Sequence, residues 1–313
     1  MFKKLSLMLM VAVLAVVAIA CSSNENPSQA EATGGEEIVI KHKLGETKVK
    51  KKPQKVVVFD FGSLDTLERL GIEVTALPKN NIPTYLSKFK NDKYVNVGSL
   101  KEPDFEKIVE VQPDLIIISG RQASLYDEFK KIAPTIDLEV DPANYINSFK
   151  NNAKTLGKIF DQEAAVEAEL TQIDESVKKL KDQATASNQK ALIILANDGK
   201  VSAYGPNSRF GLIHDEFGLA PADNKIEVSN HGQSISFEYI VEKDPDYLFV
   251  IDRGAVVGGQ SSAKQMVENE LVKKTKAYQS GKIIYLDPNY WYLSGGGLGS
   301  VSEMVKEVKK GLK

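Results

Sequence analysis

The chain has 313 residues, with 40 basic against 42 acidic side chains and a formal net charge of −2 at pH 7. This balance argues against nucleic acid as a partner, which favours a basic protein face. The length is sufficient for one large or two medium domains, and the single cysteine excludes a disulfide within one chain.

The first element along the chain is an export signal, predicted over residues 1–21. Two lysines precede an apolar run at residues 7–20 that ends in small side chains. A run of this length is typical of a cleaved signal rather than of a membrane span. Residues 18–21 (Ala-Ile-Ala-Cys) resemble a bacterial lipobox, although Leu is commoner than Ala at its first position. We therefore expect lipidation of Cys21 and tethering outside the cytoplasmic membrane, with a stray cysteine beside an ordinary cleavage site as the alternative.

Residues 22–45 are predicted to form a flexible tether, because the segment begins with polar residues that lack apolar periodicity. An N-terminal lobe is predicted over residues 46–147. Within it, buried-strand patterns such as residues 55–60 alternate with helical spacing such as residues 64–70. Strands that alternate with helices indicate a parallel sheet.

The longest helical pattern is predicted over residues 148–186, where apolar side chains recur at helical spacing without a proline. Gly157 and Asp161 are the two residues at which this helix could break. A second series of strands and helices follows over residues 187–313, the C-terminal lobe. The chain is therefore predicted to form two α/β lobes joined by one long helix.

One stretch occurs twice, 132 residues apart, at residues 105–121 and 237–253. Each copy reads as a short helix (Phe-Glu-x-Ile-Val-Glu), a Pro-Asp turn, a buried strand and a final arginine, Arg121 or Arg253. Internal repetition of one unit indicates repeated architecture. Ligands of open α/β sheets bind at the carboxyl ends of strands. The repeat therefore predicts two lobes that each present a cation to a shared cleft.

Arginine is rare in this chain, with four among the 40 basic residues. Arg209 follows the loop at residues 205–208, and with Arg121 and Arg253 it forms a candidate ligand-binding set. The planar guanidinium binds carboxylate or catecholate oxygens two at a time, which lysine cannot do. Each arginine could instead cap carbonyl groups at the end of a strand.

Four further side chains belong to loops near the arginines and are candidate ligand contacts: Lys101, Tyr204, His231 and Trp291. Aromatic faces beside guanidinium groups favour a flat, anionic and partly apolar ligand. The alternatives are a core position for Trp291 and an ordinary loop position for His231.

Catalytic and metal-binding patterns are weak in this sequence. The three histidines have no familiar metal-ligand spacing, and Cys21 is the only cysteine. A surface hydrolase that uses Ser63, Asp60 and His231 is kept as the enzymatic alternative, although nothing marks these residues as a triad. We therefore expect a binding protein that has no enzymatic activity, no protein-ligated metal and no cofactor.

The lipobox, the tether, the two lobes and the paired Pro-Asp strands together resemble the iron-siderophore and cobalamin substrate-binding proteins of ABC importers. Residues 58–65, 97–105 and 291–297 are similar to the petrobactin-binding lipoproteins of Gram-positive bacteria. The resemblance implies an α/β, two-lobed periplasmic-binding-protein-like fold of class III, with the lobes joined by a single long helix.

The resemblance also implies roles for particular residues. Arg121, Arg209 and Arg253, with Lys101, match the basic residues that hold an anionic ferric siderophore. The cargo would be of the catecholate or mixed catecholate-citrate type, with iron coordinated by the siderophore's own oxygens. Capture of bare metal, haem or cobalamin remains the alternative within the binding class.

Two glutamates at equivalent positions of the repeat, Glu106 and Glu238, match the lobe-surface residues that dock into arginines of the permease dimer. The resemblance therefore implies a monomeric, membrane-tethered receptor that delivers its cargo to an ABC importer.

Overall fold

The computed structural model describes residues 36–260 and 262–312. The predicted signal at residues 1–21, the lipidation of Cys21 and the first part of the predicted tether lie outside the described residues. Within the described ranges, no helix is both long enough and apolar enough to cross a membrane.

The described strands are β1 (Glu37–His42), β2 (Gly45–Lys50), β3 (Val56–Val58), β4 (Ala76–Leu77), β5 (Val95–Asn96), β6 (Leu115–Ile118), β7 (Thr135–Asp137), β8 (Lys190–Asn197), β9 (Lys200–Tyr204), β10 (Ala220–Pro221), β11 (Gln233–Ile235), β12 (Tyr247–Asp252) and β13 (Ile283–Leu286). The described α-helices are α1 (Phe61–Arg69), α2 (Phe105–Val111), α3 (Tyr126–Ile132), α4 (Tyr145–Phe160), α5 (Glu163–Ser187), α6 (Leu212–Asp215), α7 (Phe237–Lys243), α8 (Gly254–Val257), α9 (Ala263–Val267), α10 (Lys276–Gln279) and α11 (Leu298–Gly311). A π-helical turn spans Asn289–Leu293.

The N-terminal lobe is built on a parallel sheet with the strand order β5-β4-β3-β6-β7. Every residue of β3 and β6 is buried, which is typical of a parallel sheet covered on both faces. The chain leaves β3 at its carboxyl end, where the side chain of Asp60 accepts a hydrogen bond from Ser63 N at 2.7 Å and so caps α1.

The C-terminal lobe contains a mixed sheet with the order β11-β9-β8-β12-β13, and β10 pairs with β8 outside this path. The strands β8, β12 and β13 are parallel, whereas β9 returns antiparallel beside β8. The carboxyl ends of β8 and β12 therefore lie at the same edge of the sheet. Asn197 ends β8 and Arg253 follows β12 at this edge.

The chain passes from β7 to β8 through two helices, α4 and α5, rather than through one helix over residues 148–186. The break falls at Asp161, whose left-handed backbone (φ 53°) ends α4. The ion pairs Lys150–Asp174 at 2.5 Å and Lys154–Glu167 at 2.8 Å show that the two helices run antiparallel. The predicted bounds were wrong here because apolar periodicity continues across the break. The longer of the two helices that connect the lobes is α5, with 25 residues.

The predicted tether was too long, since residues 37–50 fold as the hairpin β1–β2. Ile40 and Val49 face the core of the N-terminal lobe. The buried hydroxyl of Thr47 donates a hydrogen bond to the carbonyl of Thr135 in β7 at 2.7 Å. The sequence analysis missed this hairpin because its alternation of apolar and polar residues is short and is interrupted by lysines.

The internal repeat serves the same structural purpose in both lobes. α2 is capped by Asp104 and α7 by Ser236. The aspartate of each Pro-Asp turn then accepts a backbone N–H before the neighbouring strand. Asp114 Oδ2 accepts from Lys55 N and Asp246 Oδ2 accepts from Lys190 N, each at 2.8 Å. The repeat thus fixes where each central strand begins.

The lobes meet where α1 caps α11. Gly297 precedes α11 and has no side-chain oxygen for capping. Asp65 of α1 supplies one from the other lobe, because its Oδ2 accepts a hydrogen bond from Ser300 N at 2.9 Å. Thr66 Oγ1 likewise accepts one from Leu298 N at 3.2 Å. Burial raises the pKa of Asp65 to about 6, and the hydrogen bonds from α11 oppose that rise.

This contact requires glycine at residue 297. A Cβ atom there would lie 2.1 Å from Asp65 Oδ2 and 2.6 Å from the carbonyl oxygen of Gly62. Both distances are far below van der Waals contact, so no side chain fits between the two lobes at this point.

We expect Gly297→Ala to lower the free energy of unfolding by about 1–3 kcal/mol, the usual cost of overpacking a filled interior. Urea denaturation measures the change. Gly295→Ala is the matched control, because a Cβ at Gly295 would approach nothing closer than 3.3 Å. A Gly297→Ala protein as stable as the control would contradict this account of the junction.

His214 in α6 gives the fold a dependence on pH. The side chain is buried, with Nδ1 2.8 Å from the carbonyl oxygen of Leu219. Burial lowers the pKa of His214 to about 4, from an ordinary value of 6.5, and the Leu219 hydrogen bond only partly opposes this. As the pH falls through 6.5, His214 of the unfolded chain therefore takes up a proton, whereas His214 of the folded protein stays neutral.

The contribution of His214 to stability is present above pH 6.5 and is lost as the pH falls toward 4. Relative to His214→Gln, we expect the wild-type free energy of unfolding to drop by about 2 kcal/mol between pH 7 and pH 5. Urea denaturation of both proteins at the two pH values tests this. Equal pH dependence would show that His214 does not control it.

Candidate functional site

The carboxyl edges of the two central sheets face a cavity of about 640 Å³ between the lobes. Asp60, which follows β3, and Gly120, which follows β6, line it from the N-terminal lobe. Asn197 and Arg253 line it from the C-terminal lobe. This is the edge at which open α/β sheets bind ligands.

The cavity brings together all of the side chains that the sequence predicted as ligand contacts: Lys101, Arg121, Tyr204, Arg209, His231, Arg253 and Trp291. Lys101 and His231 are exposed, whereas Tyr204 and Trp291 are buried in the wall. The proximity of these residues is a property of the structure, and their part in binding remains a prediction.

The three arginines converge on one residue, Tyr292. Arg209 Nη2 donates to the carbonyl oxygen of Tyr292 at 2.7 Å, and Arg121 Nη2 donates to the same oxygen at 3.3 Å. Arg253 Nε donates to the phenol oxygen at 2.8 Å, while its Nη1 donates to Asn197 Oδ1 at 2.7 Å. Cations from both lobes are therefore held around a single tyrosine.

The guanidinium of Arg209 also lies over the ring of Tyr292, 4.3 Å from the ring centroid. The pKa of Arg209 is lowered by burial and by the positive charge of Arg121. Burial opposes ionisation of the Tyr292 phenol, but the hydrogen bond from Arg253 and the charge of Arg209 outweigh it. The pKa of Tyr292 is therefore lower than its ordinary value.

The cleft is cationic because its arginines are not neutralised by acids. Within the part of the chain that the structure describes, Arg69 is the only arginine in an ion pair, with Glu169 at 3.0 Å. Asp60 lines the cleft, but its Oδ2 accepts from both the N–H and the hydroxyl of Ser63. Burial raises the pKa of Asp60, and Arg121 counteracts that rise only in part.

The lining residues that sequence reasoning missed include Asn197, Lys200 and Tyr292. Asn197 is the last residue of β8 and Lys200 is the first residue of β9, so the turn between these two strands lies at the cleft. Tyr292 is the last residue of an aromatic triplet, residues 290–292, whose middle residue is the predicted contact Trp291. Nothing in the triplet distinguishes Tyr292 from Trp291. The π-helical turn does so, because it directs Trp291 into the wall, where Nε1 donates to Glu307 at 2.7 Å.

The proposed hydrolytic group is not assembled as a triad. The hydroxyl of Ser63 donates to Asp60 Oδ2 at 2.8 Å and caps α1. Among the described residues, neither Ser63 nor Asp60 forms a hydrogen bond with His231. In residues 36–260 and 262–312, no group of three His, Cys, Asp or Glu side chains is placed to hold a metal ion.

Glu106 and Glu238 lie away from the cleft, in the first turns of α2 and α7. Both are exposed. Each lobe therefore presents one carboxylate at an equivalent position of the repeat.

The chain resembles proteins of known function along almost its whole length. The sequence pattern of the periplasmic binding protein family matches residues 56–290. The petrobactin-binding protein YclQ of Bacillus subtilis is 57% identical over 314 residues, which cover 99% of each chain. The ferric-anguibactin-binding protein FatB of Vibrio anguillarum is 32% identical over 88% of this chain and 87% of its own.

Solved structures agree with these sequence similarities. The crystal structure of YclQ has a TM-score of 0.87 at 60% identity, covering 89% of this chain and 99% of that one. The catecholate-siderophore binding protein VctP of Vibrio cholerae has a TM-score of 0.84 at 41% identity, covering 88% and 100%. The predicted two-lobed α/β fold and the resemblance to siderophore-binding proteins are both confirmed.

Proposed function

We propose that this chain, which belongs to the periplasmic binding protein family, captures an anionic ferric siderophore in the cleft between its lobes and delivers it to an ABC importer. The observation that carries the proposal is the convergence of Arg121, Arg209 and Arg253 without an acidic partner among the described residues. Three uncompensated guanidiniums in a partly buried cleft favour a ligand with several anionic oxygens.

The chemistry of the cleft supports catecholate or mixed catecholate-citrate cargo. Guanidinium groups bind paired oxygens in a plane, and the aromatic wall of Tyr204, Trp291 and Tyr292 suits flat rings. Iron arrives as cargo with its coordination already supplied by the siderophore. The names of two relatives, petrobactin-binding YclQ and catecholate-siderophore-binding VctP, support a petrobactin-like ligand.

The same proposal covers location and partners. Lipidation of Cys21 would hold the protein on the outer face of the cytoplasmic membrane as a monomer. Glu106 and Glu238 would contact arginines of two permease subunits, one from each lobe. We propose delivery without turnover, since the relatives are substrate-binding proteins.

We expect Arg121→Ala, Arg209→Ala and Arg253→Ala each to weaken binding of ferric petrobactin by about 10- to 100-fold, because each removes charge-assisted hydrogen bonds worth ~1.5–3 kcal/mol. Quenching of Trp291, the single tryptophan, reports the affinity. Arg69→Ala is the control, because Arg69 pairs with Glu169 outside the cleft.

Ferric hydroxamate complexes, haem, cobalamin and free ferric ion complete the ligand panel. A selective response to haem, cobalamin or free iron would contradict the proposed cargo. Unchanged affinity for ferric petrobactin in all three arginine variants would refute the assigned site.

We expect Glu106→Ala and Glu238→Ala to slow siderophore-dependent iron uptake by cells at least about tenfold each, since close charge pairs at interfaces are worth ~1.5 kcal/mol or more. The affinity of the purified protein for ferric petrobactin should not change. Glu110→Ala, one turn further along α2, is the matched control. Normal uptake in both variants would rule out this docking surface.

A further inference from the structure

The cavity between the lobes has an acidic side as well as a cationic one. Glu139 lines it from the N-terminal lobe, two residues after the end of β7. The side chain of Glu139 is 31% exposed, and its Oε2 accepts a hydrogen bond from Lys43 Nζ at 2.5 Å. Within residues 36–260 and 262–312, no other side chain forms an ion pair with Glu139. A carboxylate with one oxygen still available therefore lies in the wall of the cleft.

Gly120 is the residue that lets this carboxylate reach the cleft. It follows β6, directly before Arg121, and it lines the same cavity. A Cβ atom at Gly120 would collide with Glu139 Oε1. Because glycine has no side chain, Oε1 lies against the backbone of the cavity wall, whereas Oε2 is taken by Lys43. The available oxygen is therefore the one on the cleft side.

A second carboxylate lies behind Glu139. Asp137 is the last residue of β7 and is 3% exposed. Its Oδ1 accepts a hydrogen bond from Glu139 N at 3.1 Å, so the carboxyl group points along the strand toward the cleft edge. Its Oδ2 accepts no hydrogen bond from the described residues. Burial raises the pKa of Asp137 to about 6, and the charge of Glu139 adds to that rise. Negative charge at this edge is therefore incompletely compensated by the protein.

The ion pair with Lys43 indicates which kind of group fits here. Among the described residues, Lys43 is the only cation paired with either Glu139 or Asp137. The hydrogen bond to Glu139 raises the pKa of Lys43, so the carboxylate favours an ammonium group beside it. The side chain of Lys43 is 71% exposed, and exposed pairs of this kind contribute little to stability. One ammonium is thus shared by two carboxylates, and a second ammonium could bind from the cleft side.

We propose that Glu139, supported by Asp137, forms an acidic subsite of the cleft that binds a protonated amine of the cargo. This inference rests on the proposed function, because it adds a second chemical requirement to the same ferric siderophore. The arginines bind the anionic oxygens around the iron, and the acidic subsite binds an ammonium group on an arm of the siderophore. A complex that lacks such an amine meets uncompensated repulsion at Glu139, which gives the cleft selectivity among anionic complexes.

A matched pair of ligands tests the subsite. The probes are the ferric complexes of bis(dihydroxybenzoyl)dipropylenetriamine and bis(dihydroxybenzoyl)heptanediamine, which differ only in a central secondary amine that replaces a methylene. We expect Glu139→Gln to weaken binding of the amine complex about fivefold to tenfold, because a charge-assisted hydrogen bond is lost. The same variant should tighten binding of the methylene complex about twofold, because a repulsive charge is removed from the cleft. Quenching of Trp291 reports both affinities.

The opposite signs of these two changes distinguish a subsite from a structural carboxylate. If Glu139 only holds Lys43 in place, Glu139→Gln changes both affinities equally, and equal changes would overturn the proposal. Glu128→Gln is the matched control, because Glu128 pairs with Lys131 on α3 and does not line the cavity. It should leave both affinities unchanged.

Gly120→Ala tests the position of the carboxylate without removing its charge. The added methyl group displaces Glu139 Oε1 from the cavity wall. We expect the preference for the amine complex over the methylene complex to fall at least about threefold relative to the wild type. The ratio of the two affinities is the readout, because a methyl group in the wall affects the fit of both ligands alike. An unchanged ratio would overturn the assigned position of the subsite.

The same titrations separate this inference from the proposed function. If the wild-type protein binds neither these two complexes nor ferric petrobactin, the proposed function fails. If it binds them, and Glu139→Gln and Gly120→Ala leave the ratio of the two affinities unchanged, the acidic subsite alone is refuted.

Discussion

The capping of α11 by Asp65 from the opposite lobe is the interaction on which the rest of the structure depends. It joins α1, which starts at the cleft edge of the N-terminal sheet, to the segment that carries Tyr292 in the C-terminal lobe. The bond requires the backbones of Gly62 and Gly297 to approach closely, which leaves no room for a side chain. A buried carboxylate that is hydrogen-bonded to a helix start is stable only in one geometry. The two lobes are therefore joined at this point by a close backbone approach and a buried side-chain cap.

That fixed frame allows like charges to be held close together. Arg121 reaches the cleft from one lobe, whereas Arg209 and Arg253 reach it from the other. Their mutual repulsion is offset because oxygen atoms of Tyr292 and Asn197 accept hydrogen bonds from their N–H groups. The result is a site whose electrostatic energy is unfavourable until an anion arrives. This is a physical reason for selective capture of a highly charged complex over a neutral one.

The internal repeat connects the cleft to the outer surface. In each lobe one short unit supplies a helix with an exposed glutamate, a Pro-Asp turn that clamps the neighbouring strand, and an arginine at the strand's carboxyl end. The strand lies between the exposed glutamate and the cleft arginine along the chain, so it keeps these two side chains at a constant separation. Both lobes therefore present the same pair of features.

The sequence by itself determined the lobes, the repeat and the candidate cations, because these follow from periodicities and turn residues that act over a few positions. It placed Arg121 and Arg253 at strand ends correctly. It offered Asp161 as one of two places where the long helix could break without deciding between them, and it missed the hairpin at residues 37–50, since a left-handed residue and an alternation interrupted by lysines leave weak local signals. Tyr292 and Asn197 were missed for a different reason. Their importance lies in which carbonyl, phenol or amide oxygen meets a guanidinium from a distant strand. Only the tertiary structure decides this, because such contacts depend on the packing of two sheets and a π-helical turn, and no spacing along the chain encodes them.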